Sequence, residues 1–293
     1  MSHLLVLGGG WVGTAVARAA EGRVGTTVVD PPLEPTLRDR DRAAAATLAE
    51  LLVSTGTTAV INACGRVHGD DDEMLDANVA FPRWLCEVLA GSRTRLVHIG
   101  SASEYGDPGA ATPVTEDTPL RPEGAYATSK AAGSAVVVEA ADGGLETIVA
   151  RVFNIVGAPI PAASPLHRWR EELVALPPEG GDIEVWWPDT IRDFVALDDV
   201  ARALIGLALD DPADAADVNG SVLNVCSGVG VSFGQIVAAM ADQLGIAAQV
   251  RSLDRPGIPA VVGDPGRLRA RLGWVPDMSA SRLAELATAD LRR

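Results

Sequence analysis

Short apolar runs recur along the chain, and helix-forming stretches fill the gaps between them. Residues 4–7, 26–30, 58–65, 96–99, 147–154, 193–197 and 222–226 are rich in Val, Ile and Leu and too short for stable helices. They read as strands, most of them buried on both faces. Between them, residues 14–20, 43–54, 73–90, 126–141 and 198–209 read as helices, the third bent at Pro82. Ser232 caps a further helix to Leu244, and two short helical stretches follow at 265–272 and 280–291. Strands that alternate with helices predict an α/β fold with a doubly wound parallel sheet.

The alternation breaks at Gly157. Prolines 159, 161, 165, 177, 178 and 188 cluster there, beside the segment His167-Arg168-Trp169-Arg170. A smaller, mixed lobe is expected from this point. The predicted first domain is 1–157, with 192–228 returning to it, and the lobe is 158–191 with 229–293. A Pro/Gly/Thr-rich loop at 107–125 is long enough to be functional.

Composition narrows the function classes. Hydrophobic residues make up 47% of the chain but aromatics only 4%, so the core is expected to be Ala, Val, Leu and Ile. A net charge of −15 argues against a general binder of nucleic acid or anionic membranes. No apolar run approaches the ~20 residues of a membrane span. The three cysteines, Cys64, Cys86 and Cys226, are widely spaced. They suit neither a zinc site nor a disulfide framework, so no metal is expected and a reducing cytoplasm fits.

Two motifs carry the chemistry. Gly8-Gly9-Gly10-Trp11-Val12-Gly13 follows the first strand and opens the first helix, the context a dinucleotide-binding G-x-G-x-x-G requires. Gly8 allows the tight turn, Gly10 the approach of a pyrophosphate, and Gly13 close packing of helix on strand. The bland alternative is an ordinary glycine turn. Asp30 ends the second strand, 22 positions after Gly8, where an acid holds a ribose 2′-hydroxyl. A carboxylate there repels a 2′-phosphate and favours NAD over NADP. Arg38, Arg40 and Arg42 offer a phosphate clamp in principle; with Asp39 and Asp41 between them, a solvated mixed-charge turn is the other reading.

The second motif is Tyr126-x-x-x-Lys130. Lys130 is the only lysine in a chain whose other basic residues are all arginine. Residues four apart share a helix face. An ammonium beside the phenol is expected to lower its pKa and fit Tyr126 for general acid–base work. The alternative is an exposed Tyr–Lys pair on a helix surface.

Taken in order, these segments resemble the extended short-chain dehydrogenase/reductases, a family of nucleotide-sugar epimerases, dehydratases and ketoreductases. The resemblance runs through Gly8 to Gly13, Asp30, Asn62 to Gly65, Asn78, Ser101 to Gly106, Tyr126 to Lys130, Arg151 to Gly157, Arg192 to Val200, Leu223 to Gly228, and Leu272-Gly273-Trp274-x-Pro276. It implies a Rossmann-type sheet with a C-terminal substrate-binding lobe and a catalytic set of Ser101, Tyr126 and Lys130. It implies cofactor contacts from Gly8, Gly10, Trp11, Val12, Gly13, Asp30, Ala63, Cys64, Asn78, Tyr126 and Lys130. Substrate contacts are implied at Ser101, Ala102, Ser103, Asn154, Arg192 and Arg255, the two arginines matching those that bind a nucleotide diphosphate.

The chain departs from the family pattern in places. The glycine loop is one residue shorter than the common form, and the acid that contacts adenine is replaced, if at all, by Asp39 or Asp41. Ala102 and Ser103 stand where 4,6-dehydratases carry Asp-Glu, which disfavours dehydration; Glu104 is one place off and reads equally as a structural residue. The resemblance therefore implies an NAD(P)-dependent ketoreductase acting on a nucleotide-linked 4-keto sugar, with NAD as cofactor. A 4-epimerase using the same residues is the alternative, and a non-catalytic dinucleotide sensor a third reading. It also implies a homodimer formed through the helices at 73–90 and 126–141.

Overall fold

The computed structural model describes residues 3–30, 37, 39–109, 113–177, 179–209, 219–253 and 257–292. The chain begins β1 (His3–Leu7), α1 (Trp11–Ala20), β2 (Gly25–Val29), α2 (Arg42–Thr55) and β3 (Thr57–Asn62). Then come α3 (Asp71–Leu75), a π-helical turn (Asp76–Ala80), α4 (Phe81–Leu89), β4 (Arg95–Ser101) and a 3₁₀ turn (Ala102–Tyr105). Next are α5 (Gly124–Ala140), β5 (Thr147–Val152), β6 (Asn154–Val156), α6 (Pro165–Val174), β7 (Gly181–Trp186), β8 (Ile191–Ala196) and α7 (Leu197–Leu209). The chain closes with β9 (Ser221–Val225), β10 (Gly230–Ser232), α8 (Phe233–Leu244), β11 (Ala248–Leu253), β12 (Ala260–Val261), α9 (Gly266–Leu272) and α10 (Ala280–Thr288).

The chain forms two compact units. The first comprises Met1–Gly106, Leu120–Val152 and Val200–Asn224, and holds the six-stranded sheet in the order β2-β1-β3-β4-β5-β9. β1 pairs in parallel with both β2 and β3, and β4 with both β3 and β5. The doubly wound α/β expectation holds. Chain order reverses between β1 and β3, and open α/β sheets bind ligands at the carboxyl ends of strands flanking such a reversal. Against the sheet pack Leu48 and Leu52 of α2, Trp84, Leu85 and Leu89 of α4, and Val137 of α5.

The second unit comprises Asp107–Pro119, Phe153–Asp199 and Val225–Arg293. β8 is its hub, pairing with β10, β12 and β6. β7 and β11 form a separate parallel pair. Leu166, Trp169 and Leu173 of α6 pack with Ile236, Val237 and Met240 of α8 and Leu283 of α10. The expected return at 192 is narrower than the sequence suggested: β8 pairs within the second unit, and Val200–Asn224 alone rejoins the first. The loop segment Asp107–Pro119 also belongs to the second unit.

The expected bend at Pro82 lies one turn earlier, as the π-helical turn. Pro82 has no N–H to give the carbonyl four residues before it, which is that of Asn78. A π turn absorbs the mismatch and Pro82 becomes an opening residue of α4. α5 crosses this turn at Gly133, where a Cβ would lie 1.9 Å from the Asn78 carbonyl oxygen. Glycine is what allows that approach.

Candidate active site

The glycine loop runs from the end of β1 into α1. Gly8 has φ +111°, and a Cβ there would fall 2.7 Å from the Ala63 carbonyl carbon, so β1 and β3 approach closely where chain order reverses. At Gly13 a Cβ would lie 1.8 Å from the Gly8 oxygen; glycine brings α1 down onto the loop. Gly10, the N-cap of α1, makes no side-chain cap, and a Cβ there would meet nothing within 4 Å. The first turn of α1 thus has no side-chain cap and no Cβ at its N-cap to crowd it, the setting in which a helix N-terminus accepts a phosphate. The Trp11 indole nitrogen beside them is buried without a partner. A Cβ on Gly9 would sit 3.2 Å from Oδ2 of Asp30, so the Asp30 carboxylate lies over the loop. These features fit a dinucleotide: uncapped amides for the pyrophosphate and a carboxylate for ribose hydroxyls.

The arginine clamp finds no support. Arg40 is paired with Asp76, and Arg38 lies outside the described residues. Asp41 caps α2 by accepting from the Ala44 N–H at 2.8 Å, so its carboxylate is spent on the helix.

β3 delivers Asn62, Ala63 and Cys64. Asn62 is fully buried; its amide nitrogen lies 3.0 Å from His98 Nδ1 and its oxygen accepts from the Cys64 N–H at 3.1 Å. Burial pushes the Cys64 thiol up to about 12, with Asp30 adding to the rise and Lys130 opposing it. Asn78, on the π turn, is buried. Its Oδ1 accepts from the Arg66 N–H at 2.9 Å, and its Nδ2 donates to the Arg66 carbonyl and to Ser129 Oγ at 2.9 Å each. Ser129 Oγ in turn donates to the Tyr126 carbonyl at 3.0 Å. Asn78 thus ties the loop after β3 to α5, and the polar atoms of its side chain are engaged within the protein.

Ser101 closes β4, and Tyr126 and Lys130 stand one turn apart on α5. Ser101 Oγ accepts from the Ser103 N–H at 3.2 Å and from the Ser103 hydroxyl at 2.8 Å. The Ser101 side chain also lies near enough to Tyr126 to pull the phenol pKa down in part. Ala102 and Ser103 lie half-buried on the same turn. Tyr105, the other tyrosine, is fully buried and donates to Asn224 Oδ1 at 2.6 Å, a structural role.

The expected influence of Lys130 on the phenol is corrected. Burial pushes the Tyr126 pKa up, the Ser101 hydrogen bond pulls it back in part, and Glu104 raises it further. Lys130 does not govern it, because its ammonium reaches across to donate to the Ile99 carbonyl of β4. Lys130 is itself buried, and burial lowers its pKa to about 8, against the raising effects of Glu104 and Cys64. A Cβ on Gly65 would lie 3.8 Å from its Nζ.

Sequence reading missed the support around these groups. Glu104 is fully buried on the 3₁₀ turn and engages Ser101, Ser134 and Arg151. His98 is held neutral, its pKa driven well down by burial and by Lys130. A usable signal existed: Ser129, Gly133 and Ser134 interrupt the Ala/Val pattern of α5 on positions that proved buried.

Asn154 and Arg192, two proposed substrate residues, fall in the second unit. Asn154, on β6, donates to the Asp193 carbonyl at 2.7 Å. Arg192, on β8, donates to the carbonyls of Ile191 and Ile258 at 2.9 and 3.0 Å, and lies 5.8 Å from the Phe233 ring centre. Asp193 between them is fully buried and accepts from Ser227, Gly228 and Gly263. It fixes the loops beside Arg192, and the sequence reading had not singled it out. Arg255 lies outside the described residues.

Comparison with known proteins bears on this arrangement. The sequence matches the NAD dependent epimerase/dehydratase family over residues 4–226. It is 30% identical over 242 residues to a dTDP-6-deoxy-L-talose 4-dehydrogenase (NAD(P)(+)) of Kitasatospora kifunensis, covering 79% of this chain and 74% of that one. It is 32% identical over 200 residues to a UDP-glucose 4-epimerase of Azospirillum brasilense, covering 62% and 56%. In fold it is similar to RMD of Pseudomonas aeruginosa complexed with NADPH, with TM-score 0.82, 23% identity, and 99% and 97% of the two chains covered. The chain belongs to the NAD-dependent epimerase/dehydratase family.

Proposed function

We propose that the protein is an NAD(P)-dependent oxidoreductase that reduces the 4-keto group of a nucleotide-linked sugar. In this reading the first unit binds the dinucleotide and the second selects the substrate. The observation that carries it is the meeting of Ser101, Tyr126 and Lys130 in the first unit, which also bears the uncapped start of α1 and the Asp30 carboxylate. When bound, a nicotinamide dinucleotide exchanges hydride with a carbonyl or carbinol carbon. Tyr126 gives the proton to the carbonyl oxygen. Its raised pKa keeps it a phenol at neutral pH, the form reduction requires. The Ser101 hydroxyl donates to the same oxygen and orients it, while the Lys130 ammonium holds the nicotinamide ribose. The relative from Kitasatospora, a sugar 4-dehydrogenase, supports this chemistry.

A second reading, a nucleotide-sugar 4-epimerase, draws on the relatives named UDP-glucose 4-epimerase. The purified enzyme separates the two. A reductase consumes added NADH or NADPH in the presence of a nucleotide 4-keto sugar. Protein that carries NAD through purification and interconverts UDP-sugars without net cofactor turnover sinks the reductase reading.

The Asp30 carboxylate over the glycine loop supports NAD as the preferred cofactor. kcat/KM with NADH is expected to exceed that with NADPH by tenfold or more, about 1.4 kcal/mol. Asp30→Ala should narrow that ratio. Equal values in the wild type, or a ratio untouched by the substitution, count against the assignment.

We also read the chain as a homodimer. α3, the π turn and α4 present a groove of about 460 Å³ lined by Leu75, Val79 and Trp84 among charged residues, with Leu75 exposed. α5, rich in small residues, is the other helix of the expected interface. Light scattering at micromolar concentration should give twice the chain mass, and Leu75→Arg should lower it. A wild-type monomer removes the proposal. Among the described residues, no helix is long and apolar enough to cross a membrane. The three free cysteines suit a reducing cytoplasm.

A further inference from the structure

The Glu104 carboxylate is fully buried, three residues after Ser101, and three elements hold it. Its Oε1 accepts from the Ser101 N–H at 2.7 Å and from the Ser134 hydroxyl of α5 at 2.9 Å. Its Oε2 accepts from Nε of Arg151, on β5, at 2.9 Å. Gly100 makes room for it: a Cβ there would lie 2.8 Å from Oε1. The carboxylate thus joins the end of β4, which carries Ser101, to the helix that carries Tyr126 and Lys130. As a mere bolt it is a costly choice. Apolar side chains of similar volume often replace a buried ion pair without loss of stability, and Arg151 Nη1 is left buried without a partner.

The charge has a use on the catalytic side. The groups that act on or answer to Lys130 are Glu104 from the 3₁₀ turn, Cys64 from the loop after β3, and His98 from β4; Tyr126 is on its own helix. Cys64 is a thiol and His98 a neutral ring at neutral pH, and Tyr126 is a phenol. Among these, Glu104 is the one anion, and it grips the strand end that the ammonium grips: Lys130 Nζ donates to the Ile99 carbonyl, and, two residues on, the Ser101 N–H donates to Glu104 Oε1.

We propose that Glu104 is a positioning residue of this active site. Its carboxylate locks Ser101 against α5 and supplies the negative charge that holds the Lys130 ammonium in its buried place. The role in turnover rests on the oxidoreductase reading above; the electrostatic role does not.

The single lysine makes the test direct. Protein grown on ¹³C-lysine gives one lysine side-chain spectrum, which is titrated by NMR without substrate or cofactor. The wild-type midpoint is expected near the value of about 8 that burial sets. Glu104→Gln keeps the shape and an acceptor for Ser101 but removes the charge. The Lys130 midpoint should then fall by about one unit or more. The alkaline limb of kcat/KM should move to lower pH in the same direction, because activity needs the ammonium and loses it as pH rises through that pKa. Glu104→Gln/Arg151→Met removes both charges, which excludes an unpaired Arg151 as the cause and serves as the test protein if the single variant does not fold. A fall in the double variant as well supports the proposal. A Lys130 midpoint unchanged in the folded single or double variant overturns it and leaves Glu104 a structural tie. If the midpoint moves as expected while the wild type turns over no nucleotide sugar, the functional reading fails and the electrostatic role stands.

Discussion

Tyr126→Phe is expected to lower kcat by roughly 10²–10⁴-fold, the usual contribution of a positioned general acid, while leaving cofactor affinity and the melting temperature near those of the wild type. The phenol is half-buried, and Ser101 at the end of β4 is near enough to lower its pKa in part. Removing one oxygen deletes the proton donor and little else. Lys130→Arg, conservative in charge, should be impaired as severely. The ammonium is buried, donates to the Ile99 carbonyl and sits close behind Gly65, and a planar guanidinium does not fit that space. The pH profile separates the two residues. Burial lifts Tyr126, so the phenol persists above the range of a free phenol, while Lys130 titrates near pH 8 in the ligand-free chain. The alkaline loss of kcat/KM should therefore follow Lys130. Initial rates of NAD(P)H consumption from pH 6 to 10 measure all three outcomes. Near wild-type turnover by both variants leaves Tyr126 and Lys130 as a helix-surface pair and removes the catalytic assignment.

The glycine turn and the carboxylate beside it were legible because their signals are local. Gly8, Gly10 and Gly13 are fixed by one turn between one strand and one helix, and Asp30 by the end of the neighbouring strand. The apolar runs of the six-stranded sheet were equally plain, since strands buried on both faces need little context. What failed depended on distant partners. The i,i+4 spacing placed Tyr126 and Lys130 on one face but said nothing of where a long side chain ends; Nζ crosses to β4 instead of resting by the phenol. Glu104 reads from the sequence equally as a displaced acid or a structural residue, and its partner Arg151 comes from β5, far along the chain. β7 and β11 escaped notice because they pair in parallel across a long stretch of chain, and each leaves alternate or end residues in solvent. The π turn at Asn78 was displaced onto Pro82, the residue whose missing N–H accompanies it.

Gly133→Ala is expected to destabilise the protein and disable the site together. Helix propensity alone predicts the reverse, since Ala is favoured over Gly in a helix interior by about 1 kcal/mol. Here the added methyl would lie 1.9 Å from the Asn78 carbonyl oxygen and 3.1 Å from its carbon. A methyl has no rotamer by which to escape, and both neighbours are backbone. Overpacking a well-packed interior typically costs about 1–3 kcal/mol, and a contact this short with backbone belongs at the upper end or beyond. The propensity gain offsets only part of that. Relief requires α5 to lift from the π turn, which stretches the Asn78–Ser129 hydrogen bond of 2.9 Å and carries Tyr126 and Lys130 away from Ser101 and Ile99. The melting temperature should fall by several degrees, at roughly 2–4 °C per kcal/mol for a chain of this size. kcat should fall with it at temperatures where the variant is still folded. A melting temperature at or above that of the wild type, as propensity alone dictates, would show that α5 and the π turn do not approach as closely as Gly133 permits, and the support assigned to Asn78 would go with it.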